Sequence, residues 1–226
     1  MHQAFAVEFE LTTPIIMDRG INLAGLLARL LAEAGESDPL PHVPLANRDG
    51  VFAGSDLFIL GPALDYPIAY VRSLRPTAMD DDVALHDRRH RPLDQITLRD
   101  ERKNLLDRRL ATSAAALVAF GTGDIAQVER LLNGLGHIGA KRSSGYGTIS
   151  NLRVSGIDHP HAGFADRHGD PMRAVPIDVW HGMNLPPQPV RNLVARLPRW
   201  AAPREPCVGP REWVIEVEAF DREIGA

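Results

Sequence analysis

The residues from Gly134 to Gly147, GLGHIGAKRSSGYG, put five glycines, two adjacent cations, two hydroxyls and a tyrosine into one short segment. Glycine is costly to order, so a cluster of it marks a tight backbone path or a ligand lying against the main chain. Successive N–H groups in such a turn form a concave nest for phosphate oxygens. Around that nest Lys141 offers a mobile cation, Arg142 a planar fork, Ser143 and Ser144 short hydroxyl contacts, and Tyr146 a ring on which a base can stack. A helix C-cap at Gly134 or Gly136 followed by a surface turn explains single glycines. The whole cluster, with Lys-Arg-Ser-Ser inside it, points to anion binding. Two other phosphate loops are excluded. The Walker A spacing of glycine, lysine and serine or threonine is absent. A dinucleotide fingerprint follows a strand and opens a helix, whereas this segment follows a helical pattern and opens a strand.

Residues able to carry catalysis or a metal form no comparable pattern. His137 lies in the glycine segment, His42 follows the first helix, and His86 and His90 sit in the charged insertion. Activating an RNA 2′-hydroxyl needs a base held in geometry with a second group, and no second group can be set beside His137 from spacing. His159, His161, His168 and Cys207 lack the CxxC or HExxH spacing of a zinc site. Asp80 to Asp82 read as a solvated acidic turn rather than a magnesium site. Cys207, between Pro206 and Pro210, reads as a small packed residue. No catalytic residue, metal or cofactor is expected.

The elements that must position the glycine segment follow from periodicity. Phe5, Val7, Phe9 and Leu11 alternate with Ala6, Glu8 and Glu10, the pattern of a half-buried strand. Ile21 to Glu33 reads as a helix with Leu23, Leu26, Leu27, Leu30 and Leu31 on one face. Apolar runs at Asp56 to Leu60 and Pro67 to Leu74 read as strands, and Ala111 to Phe120 as a buried one. Asp124 caps a helix running to about Asn133, and Thr148 to Ser155 leaves the glycine segment as a strand. The order is read as strand, helix, strand, strand, helix, strand: an α+β, ferredoxin-like βαββαβ domain of the RNA-recognition-motif type.

Two regions decorate that core within a single domain over residues 1–226, its core at 1–74 and 110–156. Residues 75–109 are thick in charge of both signs and read as an inserted long loop or hairpin. Arg88, Arg89, Arg91, Arg102, Lys103, Arg108 and Arg109 in it are candidate contacts to nucleic acid or a neighbouring subunit. Residues 157–226 are proline-rich and read as a wrapping extension, irregular until a last strand in EWVIEVEAF.

Composition sets outer limits. The chain has 226 residues and a net charge of −4, which argues against coating nucleic acid indiscriminately. The charge is unevenly spread. No acid falls between Glu129 and Asp158, where Arg130, Lys141, Arg142 and Arg153 lie, and five arginines stand from Arg191 to Arg211 against Glu205 alone. A single cysteine fits a reducing compartment, and no apolar run is long enough for a membrane span. A cytoplasmic protein is expected.

GLGHIGAKRSSGYGTI, after the helix GDIAQVERLL, resembles the glycine-rich loop of the RAMP superfamily of CRISPR-associated proteins. ELTTPIIMDRGINLAGLLARLL is similar to the first strand and helix of the small RAMP subunit of type IV effectors, a family-five (Cas-five-like) protein. VPLANRDGVFAGSDL and RLPRWAAPREPCVGP resemble that subunit's lead into its second strand and its closing region. The resemblance implies a non-catalytic subunit that holds the 5′ handle of the CRISPR guide RNA and caps the backbone subunits, beside the large subunit. Target DNA would then be read by guide pairing, with protein contacts to a short flanking motif. Carried onto this chain, it makes Gly136, His137, Gly139, Lys141, Arg142, Ser143, Ser144, Gly145, Tyr146 and Gly147 the RNA contacts, and the 75–109 insertion a thumb over the guide. Some superfamily members cut repeat RNA without metal, so an endoribonuclease is the alternative.

Overall fold

A computed structural model describes residues 2–17, 20–72, 105–199 and 201–224. The chain divides into two compact units, one of Met1–Asp65 with Ala111–Ala226, the other of Tyr66–Leu110.

In the first unit, strand β1 (Gln3–Leu11) leads to helix α1 (Leu23–Glu33). Asn22 starts the helix. Its Oδ1 accepts from the N–H groups of Ala24 and Gly25, while its Nδ2 donates to the carbonyls of Gly54 and Ser55 and to Asp56 Oδ1. One buried amide therefore caps the helix and ties it to the next strand, satisfying donors that burial would otherwise strand. A short hairpin, β2 (Asn47–Arg48) with β3 (Val51–Phe52), precedes β4 (Phe58–Leu60). Strands β5 (Leu64–Arg72) and β6 (Leu105–Ser113) follow, then β7 (Ala116–Gly123) and α2 (Ile125–Leu132). As its spacing predicts, Asp124 caps α2, with Oδ1 accepting from Gln127 N–H at 3.0 Å. The same contact holds the Asp124 carboxyl below its usual range. β8 (Ile149–Gly156) then leaves the glycine segment.

Four strands of the five-stranded principal sheet run β4-β7-β1-β8, and each neighbouring pair among these four is antiparallel. Its register sets Phe9 opposite Leu117 on one side and Leu152 on the other. Phe5, Val7, Phe9, Leu117 and Ala119 face α1 and α2, meeting Leu23, Leu27, Val128 and Leu132 in one buried core. Each such side chain contributes about 1.5–3 kcal/mol by leaving water.

The alternation in β1 predicts one wet face, and the structure differs. Ala6 joins Phe58, Val118 and Phe120 in a second core on the opposite face, covered by Ile157, Ala162, Met172 and Phe220 of the C-terminal region. Only Glu8 and Glu10 keep that face of β1 polar.

The C-terminal region is more regular than its prolines suggest. β9 (Val175–Pro176), α3 (Ile177–His181), β10 (Arg191–Leu193) and β11 (Glu205–Val208) form a small unit, its antiparallel sheet ordered β10-β11-β9. Trp180 is fully buried there and donates from Nε1 to the Pro186 carbonyl. The expected last strand is corrected. β12 is only Val214–Ile215, parallel to β4, and α4 (Val217–Ile224) follows. Ile-Glu-Val-Glu alternation over 215–218 imitates a strand, but the buried positions Phe220 and Glu223 are three apart, on the inner face of a helix.

In the second unit, the outer parts of β5 and β6 belong to a two-stranded sheet. Of the loop or hairpin expected over 75–109, the part that is described, from Leu105, is strand. Arg108 is exposed and Arg109 half-buried on β6, whereas Arg88, Arg89, Arg91, Arg102 and Lys103 lie outside the described residues. No helix among the described residues is long and apolar enough to cross a membrane.

Candidate nucleic-acid interface

The glycine segment forms a looped excursion between α2 and β8, closed by a bridge between His137 and Thr148. Its inner side is built on the chain that leaves β1. Gly147 N–H donates to the Pro14 carbonyl at 2.8 Å, Ala140 N–H to Ile16 at 2.9 Å, and Thr148 N–H to Thr13 Oγ1 at 2.8 Å. Ile138 is buried in the main core and pins the loop to it.

The glycines divide by role. Gly139 and Gly147 have φ of +90° and +65°, where side chains are strained, and a Cβ on either would strike backbone, at the Ile16 and Ile138 carbonyls respectively. Packing of the protein on itself accounts for both. Gly145, φ +82°, and Gly136 would carry a Cβ into open space. The expected nest of successive N–H groups is interrupted, because Ile138, Ala140, Ser144, Gly145 and Gly147 all donate to carbonyls of the protein.

The outer side carries the polar groups. Lys141 adopts the left-handed conformation, φ 58°, and turns the chain into a single 3-10 turn over Arg142–Ser144. Arg142, Ser143 and Ser144 are exposed, and Lys141 and Tyr146 half-buried. His137 is half-buried, and its imidazole has no hydrogen-bonded or ionic partner among the described residues.

Spacing alone misses a third cation. Arg29, on the outward side of α1, lines a cleft of about 270 Å³ with Ile16, Met17, Ile138, Gly139 and Ala140. Burial, then the Arg142 charge, lower the Arg29 pKa, with Glu33 opposing. Its Nε stands 3.1 Å from Glu33 Oε1, and its Nη2 is buried without a hydrogen-bond partner. A cation that feels another cation and keeps a donor unspent favours an anion beside it. The position of Arg29, one turn of helix before Glu33, reads in sequence as an ordinary i,i+4 surface pair.

The other members of the expected basic stretch behave differently. Arg153 on β8 reaches Glu8 and Glu10 of β1 at 3.3 and 3.6 Å, so its charge is answered across the strands. Arg130 sits in the last turn of α2, where a cation meets the helix C-terminus.

The remaining histidines do not converge with Cys207. Among the described residues no three His, Cys, Asp or Glu side chains are grouped to hold a metal. His159 is buried, its Nδ1 accepting from His161 N–H and its Nε2 standing 3.6 Å from Glu223 Oε2, so it ties the C-terminal helix to the loop after β8. Cys207 is buried, and burial pushes its thiol up to about 11.

The loop and Arg29 thus give a cationic rim over a shallow cleft, with an exposed hydroxyl pair and a half-buried tyrosine. Cations and hydroxyls set this way can receive the oxygens of an anion. No protein-family model matches the chain, and no curated protein matches it.

Proposed function

We propose that this chain is a non-catalytic guide-RNA-binding subunit of a type IV CRISPR ribonucleoprotein effector, of the RAMP superfamily and family-five type. In this reading it holds the 5′ handle of the guide, caps the backbone subunits, contacts the large subunit, and helps read the motif flanking the target DNA. The observation that carries the reading is the glycine loop. Its inner half is locked to the strand-leaving segment Pro14–Ile16, and its outer half offers Lys141, Arg142, Ser143 and Ser144.

The sheet supports a ferredoxin-like assignment. Taking β1, β4, β7 and β8 as the four core strands, the order β4-β7-β1-β8 with every pair antiparallel and both helices against one face is that of a βαββαβ domain. In it the β5 and β6 excursion interrupts the link between the second and third core strands.

The test is purification of the chain with and without its candidate effector partners, followed by sequencing of the bound RNA. Short RNAs sharing one 5′ end are expected. RNA-free protein from both preparations would reject the reading, and RNA cut within the repeat by the isolated chain would favour the endoribonuclease.

A further inference from the structure

A second cationic cleft, with a lining distinct from that beside the glycine loop, lies between the small C-terminal sheet, Asp56 and the segment that leads into β12. It encloses about 480 Å³, and Arg191, Arg199, Arg204, Arg211 and Trp213 line it. That volume suits a nucleotide-sized ligand.

The charges there are not balanced. Among the described residues the only carboxylate in the lining is Asp56, which is buried and already accepts from Arg199 Nη2 at 2.7 Å and Asn22 Nδ2 at 3.1 Å. Among the described residues Arg191 and Arg204 donate only to main-chain carbonyls, at Gly209, Pro210 and Asn192. No hydrogen bond or ion pair engages Arg211 among the described residues, and Arg199 Nε is buried without an acceptor. Three guanidiniums with unspent donors and no counter-charge, converging on one hollow, create a standing demand for a polyanion.

An aromatic platform stands beside them. Trp213 is 40% exposed, yet it is held in place. Its carbonyl accepts from Ile59 N–H at 2.8 Å, its ring meets Phe58 at 6.2 Å, and its far edge lies so close over Gly20 that a Cβ there would stand 2.5 Å from the ring. A rigid, half-open indole next to phosphate-seeking arginines is the pairing by which single-stranded nucleic acid is gripped: charge for the backbone, stacking for a base.

We propose that this cleft is a nucleotide-binding site, taking phosphate oxygens on Arg191, Arg204 and Arg211 and stacking a base on the open face of Trp213. The nucleotide is one unit of a single RNA strand. The site stands on its own groups and rests on the RNA-binding reading only for the identity of that strand. A free nucleoside diphosphate presents the same phosphates and base, so both are tested.

The experiment titrates the full chain into a 3′-labelled decauridylate and follows anisotropy over a salt series, with ADP as competitor. Arg204→Ala with Arg211→Ala, both exposed and thus compatible with folding, is expected to weaken binding at least tenfold. It should also reduce the slope of log affinity against log salt by about 1.4, two single-strand phosphate contacts. Trp213→Leu is expected to weaken binding about tenfold with the slope unchanged, since stacking releases no counterions. Displacement of the RNA by micromolar ADP would keep the site but assign it to a free nucleotide. Lys141→Ala with Arg142→Ala separates this proposal from the glycine-loop reading. If that variant loses RNA while the cleft variants bind like the unaltered chain, the cleft proposal is overturned and the loop reading stands. Loss confined to the cleft variants would support the cleft and remove the loop, and a chain that binds neither probe overturns both.

Discussion

The backbone of Ile138 lies directly against Gly147. The Ile138 N–H donates to the Gly147 carbonyl at 2.8 Å, and a Cβ on Gly147 would stand 1.8 Å from the Ile138 carbonyl oxygen. Gly147 also has φ +65°, a conformation that costs an L-residue about 1–2 kcal/mol before any clash is counted. Gly147→Ala is therefore expected to cost about 3 kcal/mol or more, since backbone must move. Gly145→Ala, at φ +82° but facing open space, should cost about 1 kcal/mol. Urea unfolding of the two variants compares them directly, and equal losses would mean that the loop is not closed by the Ile138 contact.

The outer half of the loop makes the opposite prediction. Arg142 is exposed and Lys141 half-buried, and exposed side chains truncated to alanine seldom cost more than about 0.5 kcal/mol. Lys141→Ala with Arg142→Ala should leave the unfolding midpoint in place. RNA affinity should fall, and its salt slope should flatten by about 1.4 if both cations meet phosphate. Unchanged affinity at every salt concentration would remove the loop as an RNA contact.

These two halves show what was legible in the residues and what was not. Period-2 and period-3.6 patterns place β1, α1 and α2, and Asp124 is readable as a cap because its partner is only three residues away. The glycine cluster is visible as unusual, but its division is not. Which glycine faces Ile16 or Ile138 depends on contacts with a segment more than a hundred residues earlier or on the closing of the loop itself. Arg153 looks unpaired along the chain because Glu8 and Glu10 reach it only through the β1–β8 register. The same holds for Trp213 and Gly20, and for Arg199 and Asp56, whose pairings span the whole fold. In α4 the local pattern itself misleads, because alternation over four residues outweighs the burial of Phe220 and Glu223.

His137 supplies a prediction about chemistry. A general base for RNA cleavage needs an orienting partner or a second titrating group, and the His137 imidazole has neither among the described residues. On the proposed reading, the purified chain is expected to leave a CRISPR repeat RNA intact, with or without divalent ions, on a denaturing gel. Cleavage that disappears in His137→Ala would establish the endoribonuclease instead.

Cys207 should be chemically silent. Burial raises its thiol to about 11, the neighbouring Glu205 charge adds to this, and the sulfur lies 3.8 Å from the Leu193 carbonyl. At pH 8 the thiolate fraction is then about one in a thousand, and the nucleophile is the thiolate. Reaction with an aromatic disulfide reagent should be negligible in buffer and stoichiometric in urea. Rapid labelling of the folded chain would contradict the packing around β11.

Arg173 is a fully enclosed charge and yields the sharpest stability test. Its Nη1 donates to the carbonyls of Phe52 and Gly54, its Nη2 to Ala195, and its Nε to Ala174. One guanidinium thereby clasps the β3 segment to the C-terminal region, and Asp56 is the opposing charge that acts on it most. Burial lowers its pKa to about 10, which leaves it charged throughout the neutral range. A cation with a depressed folded pKa costs stability at every pH below about 10, and that cost is relieved only as pH rises from there toward the unfolded value. Between pH 6 and 8 its contribution is therefore flat. Removing the side chain strands several buried carbonyls, each worth about 1–3 kcal/mol. Arg173→Leu is expected to destabilise by about 3 kcal/mol or more, equally at pH 6 and pH 8. Arg173→Lys should recover little of it, because an ammonium cannot span carbonyls set around a planar fork. Urea unfolding at both pH values checks this, and a loss below about 1 kcal/mol, or full rescue by lysine, would show that the clasp is not what holds the C-terminal region to β3.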